Sequence, residues 1–391
     1  MANAYLRTFN VGTGDCIFLV LKSEDSTFSI LIDCGNMTNE VESFIKHDLD
    51  SHINILIITH IDNDHILGIK SIFQTFPNII IDTILYNCGQ FTHLDKDKKA
   101  VPENVKHNIK LLSSNSLITS KALQIGAHHA LTIAETILDT PSLKAAWTKQ
   151  NDYITCDYPD LQLPDGFGRL IFLSPERKAI DAIDKEFQKA FYKYFRVLYD
   201  GPYENNESIY EILLRKSTPE SSTQQYIGSE KPNISTLNRL CSLAEVNKIS
   251  PTNAASIAFL WECNDKSILF CGDADPSIIV RYYLLKYTHN HALPFMITAI
   301  KVSHHGSSHN SGGKFWETFD SSHIFITGGD SNDQRPSKVC LAKIINRNTD
   351  APRNIYFTRE NRSLVWFKSA KNLQKDLNYL ICDNSIYEFV Y

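Results

Sequence analysis

Several features of secreted, zinc-ribbon and membrane proteins are missing from this sequence. Its nine cysteines are scattered and odd in number, and none of them forms a C-x-x-C pair. This pattern fits neither a disulfide framework nor a zinc ribbon. The first residues hold no basic segment followed by an apolar one, and no apolar run approaches the length of a membrane span. We therefore expect no signal peptide, no membrane association and a cytoplasmic location.

An excess of basic charge is also missing. The chain carries 39 Lys and Arg against 44 Asp and Glu, which gives a net charge of −5 and a pI near 6.3. This composition excludes the global positive field by which many proteins hold nucleic acid, so any contact with DNA, RNA or a nucleotide must be local. The 391 residues are 43% hydrophobic, which is enough to bury a core without disulfides.

Short β-branched apolar runs, separated by turn residues, fill the chain up to about residue 86. Such runs predict strands. The predicted strands are Cys16 to Leu21, Phe28 to Ile32, Ile53 to Thr59 and Asn78 to Leu85. One helix is predicted among them, from Asp64 to Thr75. The apolar residues that recur there at helical spacing are Ile66, Ile69, Ile72 and Phe73.

The pattern becomes helical between about residues 88 and 250. The predicted helices are Leu117 to Ile137, Leu143 to Asn151 and Ala179 to Tyr199, with a strand at Arg169 to Leu173. The aromatic side chains of the last helix predict core or lid packing rather than base stacking. The polar segment Ser217 to Ser235 is predicted to be a loop. We predict one domain over residues 1–391, with a largely helical insertion at 88–250.

Four apolar, strand-like runs stop abruptly at acidic or histidine side chains. The residues at these ends are Asp33, His60, Asp273 and the pair His304 and His305. Polar side chains at strand ends are typical of sites in α/β folds, because the sheet is rigid and the loops beyond it are open to solvent. The four strand ends are therefore expected to share one site.

The densest group of such residues is the loop His60-x-Asp62-x-Asp64-His65. Residues two apart on an extended segment point to the same side, and the turn into the following helix can aim the last two side chains at a second point. Imidazole and carboxylate ligands together suit Zn, Mn or Fe, and two adjacent metals can clamp the oxygens of a displacement reaction. The loop is thus predicted to serve two divalent metal ions.

This loop resembles the HxHxDH signature of the metallo-β-lactamase family, with Asp62 in place of the second histidine. Four further segments look like the branch that includes the soluble nuclease domain of ComEC-type DNA-uptake proteins. They are Phe9 to Asp15, Leu31 to Gly35, Gly272 to Ala274 and Lys301 to Ser307. The resemblance spans about residues 5 to 345. It implies an αββα sandwich, with two mixed sheets back to back and outer helices, and a metal-dependent hydrolase.

The resemblance also implies roles for individual residues. The implied metal ligands are His60 and Asp62 for one ion, and Asp64, His65 and His305 for the other, with Asp273 bridging both. Asp33 would orient the ligand loop. His305 is preferred over His304 as the ligand because a glycine follows it, as in the family's His-Gly turn. His304 is then left to contact substrate or the leaving group, and Asp64, His304 and Asp33 are the catalytic candidates.

One departure from the family's pattern concerns the metals. Where the family supplies another histidine shortly before the Gly-Asp strand, this chain has Asn253, a weak ligand. His128 and His129 are alternative donors, although a structural role suits that pair better. With Asp62 and Asn253 the first metal position is richer in oxygen, which favours Mn or Mg over Zn.

A second departure concerns the substrate. Where related sequences have His-Pro, this chain has Arg335 followed by Pro336. The guanidinium group of an arginine suits bidentate contact with phosphate, although an ordinary surface arginine is the somewhat simpler explanation. Arg335, Ser307 and Asn253 are the candidate substrate-binding residues.

The motifs leave the substrate open. The leading prediction is a phosphodiesterase or nuclease in which a metal-bound hydroxide attacks the phosphorus and Asp64 or a neighbour handles the proton. Hydrolysis of a lactone, a thioester or a phosphocholine ester needs the same metal core and is the second prediction. The third is a degenerate metal-binding module without activity, because Asp62 and Asn253 weaken one metal position.

Overall fold

The computed structural model of the protein describes most of the chain. The described residues are 3–88, 98–114, 132–164, 166–204, 206–217, 232–243, 249–287, 293–310, 312–329, 335–347, 352–383 and 386–391. All nine cysteines lie among them and are free thiols, as expected of a chain without a disulfide framework. Within these ranges no helix combines the length and the apolar character that a membrane span requires. The cytoplasmic location stays a prediction.

Strands and helices alternate along the chain. The strands are β1 Asn3–Thr8, β2 Cys16–Lys22, β3 Thr27–Cys34, β4 His52–Ile58, β5 Ile80–Tyr86, β6 Leu161–Gln162, β7 Arg169–Ser174, β8 Ala258–Cys263, β9 Lys266–Phe270, β10 Phe295–Met296, β11 Ala299–Lys301, β12 Phe319–Asp320, β13 His323–Ile326, β14 Arg353–Phe357, β15 Tyr379–Cys382 and β16 Ile386–Val390. The α-helices are α1 Asn39–Ser43, α2 Asn63–Thr75, α3 Glu103–Ser114, α4 Ile133–Asp139, α5 Pro141–Thr148, α6 Arg177–Phe195, α7 Asn206–Ser217, α8 Ile234–Cys241, α9 Pro251–Ala254, α10 Pro276–Lys286, α11 Gly313–Thr318, α12 Lys338–Ile345, α13 Arg362–Ser369 and α14 Lys371–Asp376.

The strands form two large sheets. The first has the order β16-β1-β2-β3-β4-β5, and the second has the order β15-β14-β13-β11-β9-β8-β7-β6. In the first sheet β3, β4 and β5 run parallel, and in the second β9, β11, β13, β14 and β15 do. Every residue of β2 except Lys22 is buried, because the strand is covered on both faces. Such strands appear in a sequence as unbroken apolar runs rather than alternating ones.

The two sheets pack face to face. Ile17 and Ile57 of the first sheet share a buried apolar cluster with Phe259 and Phe270 of the second. Helices α1 to α7 cover the outer face of the first sheet, and α8 with α10 to α14 cover the outer face of the second. This mixed α/β arrangement confirms the predicted αββα sandwich and is consistent with a metallo-β-lactamase fold. Its rigid core holds the strand ends in place.

The first part of the chain follows the sequence-based prediction closely. Helix α2 spans Asn63–Thr75, and its buried face includes the four residues whose spacing predicted it. The strands predicted before residue 86 correspond to β2, β3, β4 and β5. Strand β1 was not predicted. It pairs with β16, which comes from the other end of the chain, so its partner is decided by tertiary contacts.

The predicted insertion at 88–250 contains α3 to α8, but it also contributes to a sheet. Strand β7 pairs with β8 in the second sheet, so this part of the segment belongs to the sandwich and the helical material lies on either side of it. In α6, Phe187, Phe191 and Phe195 are buried, as core packing requires. The bounds of the insertion stay a prediction. His128, His129 and residues 218–231 of the predicted polar loop lie outside the described residues.

Candidate metal centre

Four strand ends meet at one edge of the sandwich. Asp33 lies at the end of β3 and His60 follows β4, while Asp273 follows β9 and His305 follows β11. Each of these pairs of strands runs parallel within its sheet, so their carboxyl ends lie at the same edge. The structure therefore brings together the four strand ends that the sequence singled out.

Two glycines shape the loop that carries the densest group of candidate ligands. A β-carbon on Gly14 would lie 1.6 Å from the backbone oxygen of Asp64, and one on Gly35 would lie 2.1 Å from it. The backbone N–H of Asp15 donates to the same oxygen at 3.1 Å. Only glycine allows this close approach of three backbone segments. The Gly12 to Asp15 turn thus holds the start of α2 in place.

Asp33 holds the ligand loop through three hydrogen bonds. Its carboxylate accepts from the backbone N–H of Thr59 at 2.7 Å, from the Thr59 hydroxyl at 2.6 Å and from Nδ1 of His65 at 2.8 Å. Because Nδ1 of His65 donates its proton to Asp33, Nε2 points to the other side and lies 3.4 Å from Oδ1 of Asp273. Burial opposes protonation of this imidazole, but the carboxylates of Asp273 and Asp33 hold the pKa of His65 well above its ordinary value.

The adjacent residues His304 and His305 have different surroundings. Both have left-handed backbones, with φ of 48° and 53°, which is uncommon for histidine and turns their side chains in different directions. Nδ1 of His305 lies 2.8 Å from the Thr327 carbonyl oxygen and 3.1 Å from Oδ1 of Asp15. Its Nε2 lies 3.5 Å from Oδ2 of Asp64. Burial opposes protonation, yet Asp15 and Asp273 raise the pKa of His305 to about 9.

His304 lies closer to the opening of the centre. Its Nδ1 lies 2.9 Å from Oδ1 of Asn310, and its Nε2 lies 3.1 Å from Nη1 of Arg335 and 3.6 Å from Oδ2 of Asp273. Burial lowers the pKa of His304 to about 4, against the opposing effect of the Asp273 carboxylate. The two neighbours therefore differ in their surroundings, and His305 is the one grouped with Asp64 and His65, while its role as the ligand stays a prediction.

The donor atoms fall into two overlapping groups around Asp273. Nε2 of His60 lies 3.7 Å from Oδ2 of Asp62 and 3.9 Å from Oδ2 of Asp273. On the other side, Asp64, His65 and His305 offer three ligand atoms within 4.8 Å of one another. Asp273 is buried between these groups, and the imidazoles around it hold its pKa well below the ordinary value despite burial, which alone would raise it.

Several of these atoms lack a hydrogen bond although they are buried. Within the described ranges, Nε2 of His60, His65 and His305 and Oδ1 of Asp273 have no hydrogen-bond partner. Buried polar atoms are almost always satisfied, and a cation that binds such donors releases the protons they would otherwise hold. The residues present therefore fit divalent metal ions at the two positions.

The first position has few nitrogen donors. Asn253, in α9, is buried, and its Oδ1 has no hydrogen-bond partner within the described residues, while its Nδ2 lies 3.4 Å from Nδ1 of His304. Oδ2 of Asp62 accepts from the Thr252 hydroxyl at 3.4 Å. One imidazole and two carboxylates thus face this position, a donor set suited to Mn or Mg more than to Zn.

The other candidate substrate-binding residues lie in different settings. Nη1 of Arg335 lies 3.9 Å from Oδ2 of Asp64 as well as beside His304, and its side chain is 24% exposed, so it can reach both the centre and solvent. Ser307 is buried, and its hydroxyl accepts from the His309 N–H at 3.3 Å. Its backbone N–H donates to the His304 carbonyl. Ser307 thus shapes the turn, and substrate contact by its side chain stays a prediction.

Two residues of the centre were not singled out from the sequence. Asp15 and Lys301 are both 1% exposed and form an ion pair beneath the candidate ligands. The sequence feature that could have revealed this ion pair is a lysine between Ile300 and Val302, at the end of an apolar strand. A charge buried there requires a partner of opposite charge. The insertion also reaches the centre, where Tyr153 and Tyr210 line a small cavity with His60.

Comparison with known proteins supports the fold. Residues 10–82 match the family model described as Metallo-beta-lactamase superfamily, a stretch that includes Asp33 and the loop His60 to His65. Among solved structures, the chain is similar to a mutant of CmlA beta-hydroxylase, at 11% identity and a TM-score of 0.36, over 99% of this chain and 53% of that one. The chain thus spans about half the length of that protein.

A second similar structure is the metallo-beta-lactamase fold protein YhfI from Bacillus subtilis, at 9% identity and a TM-score of 0.36, over 99% of both chains. No curated protein sequence matches the chain. The resemblance to ComEC-type proteins is finer than these matches and stays a prediction.

Proposed function

We propose, from the superfamily match at residues 10–82 and the buried donor groups around Asp273, that the chain is a metal-dependent phosphodiesterase with nuclease activity. The observation that carries the proposal is the position of Arg335. Its guanidinium group lies between His304 and Asp64, beside the donor groups and partly open to solvent. A fixed guanidinium fork next to a metal centre suits a phosphate group better than a lactone or a thioester.

Each residue around the centre has a distinct task in this proposal. The cations, when bound, supply Lewis acidity to a phosphoryl oxygen and lower the pKa of water. Asp33 fixes the His65 ring with Nε2 directed at the centre, and the Thr327 carbonyl oxygen does the same for His305 through its Nδ1. Asp64, at the rim of the centre, is placed to accept a proton from the attacking water.

Arg335 and His304 act on the substrate side. Arg335 would exchange its contact with His304 for a phosphate oxygen, which leaves Nε2 of His304 free to accept a hydrogen bond from the substrate. Because its pKa is lowered to about 4, His304 is neutral near pH 7 and serves as an acceptor rather than as an acid. Asn253 lies next to His304 and would contact either the first ion or the substrate.

The metal is proposed to be Mn²⁺ at both positions, with Zn²⁺ and Mg²⁺ as alternatives. The second position offers two imidazoles and two carboxylates, and the first offers fewer nitrogen donors. Oxygen-rich sets favour the harder ions.

A local basic face supports a nucleic-acid substrate. On α6 the three phenylalanines are buried and Tyr192 is exposed, while Lys185, Lys189 and Lys193, with Arg196 at its end, are also exposed. Replacing these four with Gln should weaken DNA or RNA binding and flatten its salt dependence. Unchanged binding would favour a small phosphodiester such as a cyclic nucleotide.

The test uses the Mn²⁺-loaded protein with linear DNA, circular DNA, RNA and cyclic nucleotides, beside a lactone, a thioester and a phosphocholine ester. We expect hydrolysis of at least one phosphodiester, with Arg335→Met losing this activity while retaining the native metal content. Arg281→Met is the matched control, because Arg281 lies on α10 and pairs with Glu176. Turnover of only the lactone or the thioester would contradict the proposal. Metal binding without any turnover would point to a binding module.

A further inference from the structure

The ammonium group of Lys301 lies in a position that cations rarely occupy in a protein interior. The side chain is 1% exposed, and Nζ contacts Oδ2 of Asp15. Nζ also donates to the Gly272 carbonyl oxygen at 3.0 Å and lies 4.0 Å from Oδ1 of Asp273. A buried charge is tolerated only when it is paired and hydrogen-bonded, and these oxygens supply both conditions.

Asp15 connects this ammonium group to the second metal position. Its Oδ1 lies 3.1 Å from Nδ1 of His305, and its backbone N–H donates to the Asp64 carbonyl. Its own carbonyl accepts from the Gly35 N–H at 2.8 Å. The backbone of Asp15 is therefore held in place, and its carboxylate lies between Lys301 and His305.

Asp15 also belongs to a third group of possible metal donors, with Asp33 and His65. That group differs from the other two, because Nδ1 of His65 already lies 2.8 Å from Asp33 and 3.9 Å from Asp15. Nζ of Lys301 instead faces one oxygen each of Asp15, Gly272 and Asp273. These oxygens form an all-oxygen set, which is the kind that Mn²⁺, Mg²⁺ and Ca²⁺ prefer.

We infer that the Lys301 ammonium group is a permanent cation that occupies a third cation position beneath the centre and thereby limits the protein to two divalent ions. The inference rests on the proposed metal centre. Five aspartates surround the centre, namely Asp15, Asp33, Asp62, Asp64 and Asp273, and a charge fixed by the chain neutralises Asp15, which is 1% exposed. The Asp15 carboxylate lies between this charge and His305, whose Nδ1 is 3.1 Å from Oδ1 of Asp15.

The test compares the number of Mn²⁺ ions bound by the native chain and by Lys301→Ala, which removes the charge and leaves room for an ion. Equilibrium dialysis against Mn²⁺ followed by elemental analysis gives the stoichiometry. We expect Lys301→Ala to bind one more ion per chain than the native protein. The double variant Asp15→Asn with Lys301→Ala is the control, and it should keep the native number because the third position has lost its carboxylate.

Thermal unfolding with and without Mn²⁺ provides a second readout. Lys301→Ala should gain a larger increase in melting temperature from Mn²⁺ than the native chain or the double variant, because the ion replaces the missing ammonium group. A native stoichiometry in folded Lys301→Ala overturns the inference and leaves the metal centre standing. A variant that folds neither with nor without Mn²⁺ also overturns it. A native chain that binds no Mn²⁺ instead refutes the proposed centre itself.

Discussion

Two buried groups of charged side chains lie at opposite ends of the strands of the second sheet. The candidate metal centre, with His60, Asp62, Asp64, His65, Asp273 and His305 as its proposed ligands, lies at the carboxyl ends. At the amino ends lies the Asp320 cluster, formed by Asp320, Arg347 and Arg353. There, Nη1 of Arg347 lies 3.0 Å and Nη2 of Arg353 lies 3.3 Å from Oδ1 of Asp320.

The two groups differ in whether hydrogen-bond donors or acceptors are in excess. The Asp320 cluster has two guanidinium groups for one carboxylate, and burial lowers the pKa of Arg347 to about 10 despite the opposing effect of Asp320. Its guanidinium N–H donors outnumber the carboxylate oxygens that can accept from them, and its net positive charge repels cations. The metal centre has a surplus of carboxylates and imidazoles, several of whose buried acceptor atoms have no hydrogen-bond partner within the described residues. Buried charge alone therefore does not mark a metal site, whereas an unsatisfied surplus of acceptors does.

The largest effect is expected from Asp273→Asn, because Asp273 faces both metal positions. Activity should fall by more than about 100-fold, beyond the range typical of residues that only support ligands. Chelation of the metals should remove activity as well. The metal-free variant should unfold at the same urea concentration as the native protein or a higher one, since one buried negative charge is gone. Asp265→Asn, in the exposed β8–β9 turn, is the control. Full activity in metal-free Asp273→Asn would refute the centre.

A large loss of stability, without a change in metal binding, is expected from Asp320→Asn. Removing one partner of a buried ion pair typically costs about 3–5 kcal/mol, because the remaining charge is left uncompensated. Here two guanidinium groups would lose their carboxylate. Urea unfolding measures the loss, and Mn²⁺ titration checks the centre. Glu317→Gln, on exposed surface of α11, should change neither quantity. Weaker Mn²⁺ binding by Asp320→Asn would show that the two groups are coupled.

A smaller effect, on metal affinity, is expected from Asp33→Asn. The amide would place an N–H group against Nδ1 of His65 or the Thr59 hydroxyl, where the carboxylate now accepts both. Loss of such a supporting partner typically weakens metal binding by about 10- to 100-fold. Calorimetric titration with Mn²⁺ should show the loss at the second position, to which His65 belongs, before the first. Equal affinity in the variant would mean that His65 needs no support from Asp33.

The smallest expected change is the metal preference of Asp62→His. The substitution adds a second imidazole to the first position and removes one carboxylate, so Zn²⁺ should gain affinity relative to Mn²⁺. We expect a shift of about tenfold or less, below the range for Asp33, because the surrounding groups are not arranged to hold the new ring. Competition titrations of both proteins measure it. The role assigned to Asp62 would be contradicted if the native protein already preferred Zn²⁺ at both positions and the variant kept the same preference.

Much of this molecule follows from local sequence patterns. The helix α2 and the loop before it could be predicted because their residues are close in the chain, where spacing alone decides which side chains share a face. The strand ends at Asp33, Asp273 and His305 could be located for a similar reason, since an apolar run that stops at a charged residue marks its own end. The αββα arrangement came instead from the resemblance of these motifs to the metallo-β-lactamase family, and the structure confirms it.

Other features required the assembled chain. Only the sandwich shows that β16 completes the first sheet beside β1 and that β7 joins the second sheet from within a helical segment. The ion pair of Asp15 with Lys301 joins residues far apart in sequence, so no local pattern links them. The different surroundings of His304 and His305 likewise depend on the directions in which two left-handed residues turn their rings. Local spacing in the sequence determines which residues are available as ligands. Long-range packing decides which of their atoms come together, because the distances between strand ends depend on how the strands pair in the sheets and not on their separation in the sequence.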